Sequence, residues 1–219
     1  MKHSAKRIWG GIALFLLLIM IVIYLFRVTI LTQAGRFMAP GGDYVADIAI
    51  MEGDEFIDRG VVKSGMKLLA SGKVKRIVAV LHRIAPSHRP FALNEDYPDL
   101  VRKELEAVGM EEKNFKIIVT HIHHPVTLTA AAGALAALSK EDVKSAILLS
   151  KGFHTRRSFL IYQHLGAKYQ IKIYPSACFN AYQPDHWWSQ EHGVRDFAAE
   201  LLKLIYYLAG GYIPFKFNY

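Results

Sequence analysis

The chain has 219 residues, 52% of them hydrophobic, and a formal charge of +8. That length holds one α/β domain and an appendage, but hardly two full domains. The charge does not describe a nucleic-acid binder: residues 1–36 contribute five basic residues and no acid, and the rest of the chain carries 22 basic against 19 acidic residues. Basic excess on a folded face is the usual electrostatic footprint of nucleic-acid binding, and here it belongs to the N-terminus instead.

Ile8 to Phe26 is a 19-residue run without a charge. As a helix it spans about 28 Å, close to the hydrocarbon thickness of a bilayer. Trp9 and Tyr24 suit its two interfaces. A cleaved signal peptide would have a shorter apolar core and a small-x-small cleavage site, and Leu31-Thr-Gln-Ala34 is a poor one. The reading is therefore an uncleaved anchor over 1–36, with the lipid bilayer as partner through residues 8–26. Lys2, Lys6 and Arg7 before the span, against Arg27 and Arg36 after it, favour a cytoplasmic N-terminus and a domain outside. Residues 37–45, with Pro40-Gly41-Gly42, read as a tether.

The domain, 46–211, alternates short apolar strands with helical patterns. Ala46–Met51 is continuous and apolar, as a strand buried on both faces should be, and it runs into Glu52, Gly53, Asp54 and Glu55. A helix follows to Ala70. Arg76–Leu81 is a second strand, ending at His82 and Arg83; a polar, proline-bearing loop and a helix over about 97–108 come next. Phe115–Thr120 leads into His121-Ile-His123-His124-Pro125 and an alanine-rich helix, Thr127–Leu138. Ala146–Ser150 is a fourth strand, with a turn at Gly152 and a helix opening through His154, Arg156 and Arg157. Gln170–Tyr174 is a fifth, an aromatic loop holds Phe179, Tyr182, Trp187 and Trp188, and a last helix runs over about 194–208. An aromatic tail, 212–219, closes the chain. This order gives an α/β fold, an open, mainly parallel five-stranded sheet covered on both faces.

Parallel strands bring their carboxyl ends to one edge, where open α/β sheets bind ligands. Arg157 and Arg83 suit the oxygens of an anion, and the amides near Gly152 would point at the same ligand. His154 suits proton transfer, with Glu52 or Asp54 as its partner. The competing reading has Arg157 pairing with Glu52 or Asp54 to hold the rim together. His121-x-His123-His124 invites a metal, yet the aspartate and histidine that follow in the metallo-β-lactamase motif are missing, so no metal site is assigned. Gly-x-Gly-x-x-Gly, Walker and serine-elbow patterns are absent, and the sequence names no cofactor. Cys178 reads as a small buried side chain.

These residues resemble the YdcF/SanA/ElyC-like family over about 46–211. The resemblance rests on Asp47 in the first strand with a turn at Gly53, and on Arg59 followed by Leu68-Leu69 and Gly72. It rests further on Phe153-His154-Thr-Arg-Arg157 after an apolar strand, and on Glu200 before Tyr207 and Gly210. Two motifs depart from that pattern: Leu81-His82-Arg83 replaces a Ser-Gly-Gly-like turn, and Val126-Thr127-Leu-Thr-Ala130 keeps only Thr127 of Asn-Thr-x-Glu-Asn. The resemblance implies a Rossmann-like fold, an anchor in a bacterial inner membrane with the domain extracytoplasmic, and a role in envelope or peptidoglycan maintenance. The resulting expectation is a cleft that binds, and processes, an anionic small molecule or lipid-linked glycan phosphate. Its ligand-binding residues would be Arg157, Arg83, Gly53, Gly152, His121 and Thr127. The alternatives are a nonenzymatic envelope factor and a binder of nucleotide- or S-adenosylmethionine-like ligands.

Overall fold

A computed structural model describes residues 2–53, 57–82, 97–121 and 123–214, without the side chains of 2–8, 10, 82 and 97. Asp54, Glu55 and Arg83 lie outside the described residues. A long helix α1 (Lys2–Met38) precedes the alternating elements β1 (Ile48–Glu52), α2 (Arg59–Ala70), β2 (Arg76–His82), α3 (Tyr97–Ala107), β3 (Phe115–Thr120) and α4 (Val126–Leu138). Then come β4 (Ser145–Lys151), α5 (His154–Lys168), β5 (Lys172–Cys178) and α6 (Glu191–Ala209), with a short 3-10 turn at Trp187–Ser189.

The five strands form one parallel sheet in the order β3-β2-β1-β4-β5. β1 is central, with Ile48 beside both Arg76 and Ala146. Ala49, Ile50 and Met51 have no accessible surface, which is why this strand is a continuous apolar run rather than an alternating one. Two cores lie on its two faces. Ala49, Met51, Ile77 and Leu149 meet α2 and α3 through Val61 and Leu105. Ile48, Ile50, Val78 and Leu148 meet α4, α5 and α6 through Ala131, Phe159 and Leu204. Fully buried Ala131 and Ala134 let α4 lie close to the sheet.

At the amino edge Asp47 ties β1 to β4. Its Oδ2 accepts from the Lys144 and Ser145 amides and the Ser145 hydroxyl, while its own amide donates to Ser145 Oγ. The bonds from Lys144 and Ser145 hold the Asp47 carboxyl below its ordinary pKa.

Several element ends shift by one to three residues, as at α6, which starts at Glu191 rather than about 194, and two further differences bear on the architecture. β5 continues through Pro175 to Cys178 rather than stopping at Tyr174. It is an edge strand of the sheet, where a missing N–H is tolerated. The second concerns α1, an apolar helix long enough to cross a membrane, which runs unbroken to Met38, two residues into the stretch read as a tether. Its last turns are held by the domain: Trp187 Nε1 donates to Leu31 O (2.9 Å), Arg36 pairs with Asp185 (2.9 Å), and Arg156 Nε donates to Phe37 O (2.6 Å).

Candidate functional site

The winding of the chain locates the site. From β1 it proceeds outward through β2 to β3; α4 then returns it across the sheet to β4, on the other side of β1. The neighbouring ends of β1 and β4 therefore send their helices, α2 and α5, to opposite faces, and a crevice opens between them. A cleft of about 670 Å³ occupies this place. Glu52 and Gly53 come from the end of β1, Asp58 from the start of α2, Pro125 and Thr127 from the start of α4. Lys151, Gly152 and His154 come from the β4–α5 turn, and Asp196, Glu200, Lys203 and Tyr207 from α6.

Gly152 makes the turn from β4 into α5 possible. Its φ is +49°, in the left-handed region, and its amide donates to Cys178 O at 2.8 Å. Buried Thr155 then fastens the turn, donating through Oγ1 to Gly152 O at 2.7 Å. Helix α5 starts at once, so His154 and Arg157, one turn apart, stand on the cleft rim.

Arg157 is 4% exposed, and three partners occupy its guanidinium. Nε and Nη2 donate to Glu200 Oε2 at 3.0 and 2.9 Å, and Nη1 donates to Thr127 Oγ1 at 2.6 Å. Nη2 also lies 2.7 Å from His154 Nδ1, and Tyr207 stacks under the group with its ring centroid 5.0 Å away. The rim-holding reading of Arg157 thus describes its contacts, but among the described residues its carboxylate is Glu200, from α6, rather than Glu52. Lys203 takes the other oxygen of Glu200 at 2.9 Å. Burial works against the charge on Glu200. The contact with His154, the guanidinium of Arg157 and the bond from Lys203 outweigh it and hold this carboxyl well below the usual carboxylate range.

His154 Nδ1 is 3.3 Å from Glu200 Oε2 as well as 2.7 Å from Arg157 Nη2. The two contacts ask opposite things of Nδ1: the guanidinium, which can only donate, needs it unprotonated with the proton on Nε2, and the Glu200 carboxylate needs it protonated. Nε2 faces Glu52 Oε2 at 3.6 Å. Glu52 is oriented by the Ser150 hydroxyl, which donates to the same oxygen at 2.8 Å. Beneath the rim, the buried hydroxyls of Ser158 and Tyr162 have no hydrogen-bond partner among the described residues. Burial and the charge of Glu52 push the Tyr162 phenol well above its ordinary pKa.

Two helix starts open on this cleft. The residues before α4 and α5, Pro125 and Phe153, make no side-chain cap, whereas α2 is capped by Asp58 through the amide of Gly60 (2.7 Å). Three tyrosines, Tyr182, Tyr206 and Tyr207, also line the cleft, and Tyr182 donates to Asp196 Oδ2 at 3.1 Å.

Of the sequence candidates, the cleft brings together Glu52, Gly53, Thr127, Gly152, His154 and Arg157. His121 and His123 are exposed and do not line it; His124 does. Among the described residues no group of three or more His, Cys, Asp and Glu is disposed to hold a metal ion. Asp58, Lys151, Asp196 and Lys203 were not found from residue patterns, because single charged residues in helices and turns look like solvated surface. Trp187 caps the core, stacked on Phe197 at 4.0 Å, and clasps α1.

Fold and site together define a membrane-anchored protein with a Rossmann-like α/β domain and a charged cleft at the sheet's switch point. Comparison of the chain with family models, with curated proteins and with solved structures gives no match.

Proposed function

We propose that this chain is a membrane-anchored binding protein whose β1/β4 cleft takes a small anionic ligand of nucleotide-like build, a phosphate joined to a sugar or flat ring. The observation that carries this reading is the pair of uncapped helix starts, α4 and α5, at one cleft. First-turn amides without side-chain partners favour an anion, and Lys151 adds a positive charge beside them. The three tyrosines suit the rest of such a ligand. Arg157, already occupied by Glu200 and Thr127, builds the rim rather than meeting the ligand. Calorimetric titration of the full chain in nanodiscs with an adenine nucleotide, a hexose phosphate and inorganic phosphate tests this. Saturable binding that is lost in Lys151→Glu supports it; no heat with any of the three, from folded protein, sinks it.

A second reading has the cleft process an anionic glycan or lipid-linked phosphate precursor, with His154 and Glu52 exchanging a proton. It is favoured by the Nε2–Oε2 approach of 3.6 Å at the cleft wall. Turnover of such a phosphate that disappears in Glu52→Gln would select it over simple binding. Membership of the YdcF/SanA/ElyC-like family, an extracytoplasmic domain on a bacterial inner membrane and an envelope role belong to both readings. They are supported by the motif around His154 and Arg157 and by the basic residues ahead of the span.

A further inference from the structure

We infer that the outer face of α6 lies on the bilayer surface, so that the domain meets the membrane at a second place beside its anchor. Val194, Ala198, Leu202, Ile205 and Ala209 are spaced to share one side of that helix. Val194 is 45% exposed, Leu202 68% and Ile205 53%. Beyond α1, the other large apolar side chains exposed to this degree among the described residues are Tyr206, which borders the stripe, and Val45, Val108 and Val119, scattered over separate segments. The α6 face is a patch, and a patch of this kind marks an interaction surface.

Three relationships point to lipid as the occupant. The first is depth. Trp187, just ahead of α6, donates to Leu31 O, and Leu31 is five residues past Phe26, where the uncharged run ends. Five helical residues rise about 7.5 Å, roughly the thickness of one headgroup layer. Arg27 folds back over Tyr24, 4.2 Å from the ring centroid, as an interfacial pair does.

The second is orientation. α1 ends against Arg156, in the first turn of α5, at the carboxyl edge of the sheet. From there the chain runs back beside β5, through the Gly41–Ser176 bridge and the Tyr44–Tyr174 stack (4.7 Å), to reach β1 from the far edge. The domain therefore hangs from its carboxyl edge, and α6 crosses that edge, reaching Arg157 through Glu200 and Tyr207.

The third is the side of α6 that the stripe occupies. Phe197, Leu201 and Leu208 pack against the same core as Leu31 and Trp187. The exposed stripe lies next to that line around the helix, while the cleft residues Asp196 and Lys203 lie on the other flank. The stripe thus continues the side of α6 that meets the anchor. Arg195, at its border, pairs with Asp196 at 3.7 Å and contacts His192 Nδ1 at 2.9 Å, and at 63% exposed it still reaches the solvent where lipid phosphates would lie.

The test uses the full chain in vesicles of phosphatidylcholine with phosphatidylglycerol. An environment-sensitive fluorophore is attached at Leu202→Cys, and in a separate protein at Val108→Cys, which follows α3 at the far edge; both carry Cys178→Ser. The expected result is a blue-shifted emission at position 202, quenched several-fold more by shallow spin-labelled lipids than at position 108. Equal, water-like emission and quenching at both positions would overturn the inference. So would self-quenching at position 202 that vanishes on dilution into empty lipid, because the stripe would then face a second copy.

Discussion

Arg157 places two nitrogens on one oxygen of Glu200, with Nε at 3.0 Å and Nη2 at 2.9 Å from Oε2. The two residues are 43 positions apart, and their pairing fixes α6 across the start of α5. It also aims the third nitrogen at Thr127 and so draws in α4. One buried cation therefore holds three helices at the cleft rim.

Removing the anion leaves that cation stranded. Both side chains are largely buried, 5% and 12% exposed. Breaking such a pair from one side costs about 3–5 kcal/mol, whereas an exposed pair contributes about 1 kcal/mol or less. Glu200→Ala is therefore expected to lower the denaturation midpoint of the full chain in micelles far more than Lys203→Ala. The double variant Arg157→Met/Glu200→Leu should recover most of the loss. Equal effects of Glu200→Ala and Lys203→Ala would show that the rim does not depend on this pair.

The same carboxylate gives stability a pH dependence. Glu200 titrates well below the usual range in the folded protein, while in the unfolded chain it titrates near the ordinary value of about 4.3. The folded state binds fewer protons across that interval, so the contribution is complete above the unfolded pKa and drains away as pH falls towards the folded one. Midpoints should be flat near neutral pH and decline below about pH 5. Glu200→Gln should flatten much of the decline, with a remainder from Asp47, whose carboxyl is lowered in the same direction. An unchanged acid slope in Glu200→Gln would count against this assignment.

How much of this was legible in the sequence follows from the kind of signal each feature leaves. Strands such as Phe115–Thr120 are bounded by the switch from apolar runs to polar residues, and that bound coincides with the structure. The end of β5 was hidden because Pro175 reads as a stop unless the strand is known to be at an edge, which only strand order reveals. His154, Arg157 and Glu52 were visible because they directly follow or end strands. From residue pattern alone the partner of Arg157 was not, since a carboxylate on the last helix has no local mark. It stood out only in the family resemblance, as Glu200 before Tyr207. The docking of α1 was equally silent, because Leu31 contributes a backbone carbonyl.

Cys178 is buried at the end of β5, 2% exposed, and burial pushes its thiol up to about 11. Little thiolate exists at pH 8, and the sulfur is shielded. Modification by a disulfide reagent should be slow in the folded protein and fast once denaturant unfolds it, with the observed rate rising through the unfolding transition. Rapid reaction in native buffer would contradict this burial.

Gly35 tests the clasp between anchor and domain. A methyl group there would overlap Pro184 O and stand 2.8 Å from Trp187 Cδ1. The first contact is with backbone, which cannot rotate away, so Gly35→Ala must move α1 off the loop or the loop off α1. Overpacking of this kind costs about 1–3 kcal/mol. The Trp187–Leu31 bond should break and the Trp187–Phe197 stack loosen, exposing an indole that is now 6% accessible. Tryptophan emission of the full chain in nanodiscs should shift to the red, with Trp9→Phe and Trp188→Phe in the background to isolate Trp187. The melting temperature should fall in parallel. Unchanged emission and melting would mean that the close seat at Gly35 does not join α1 to the domain.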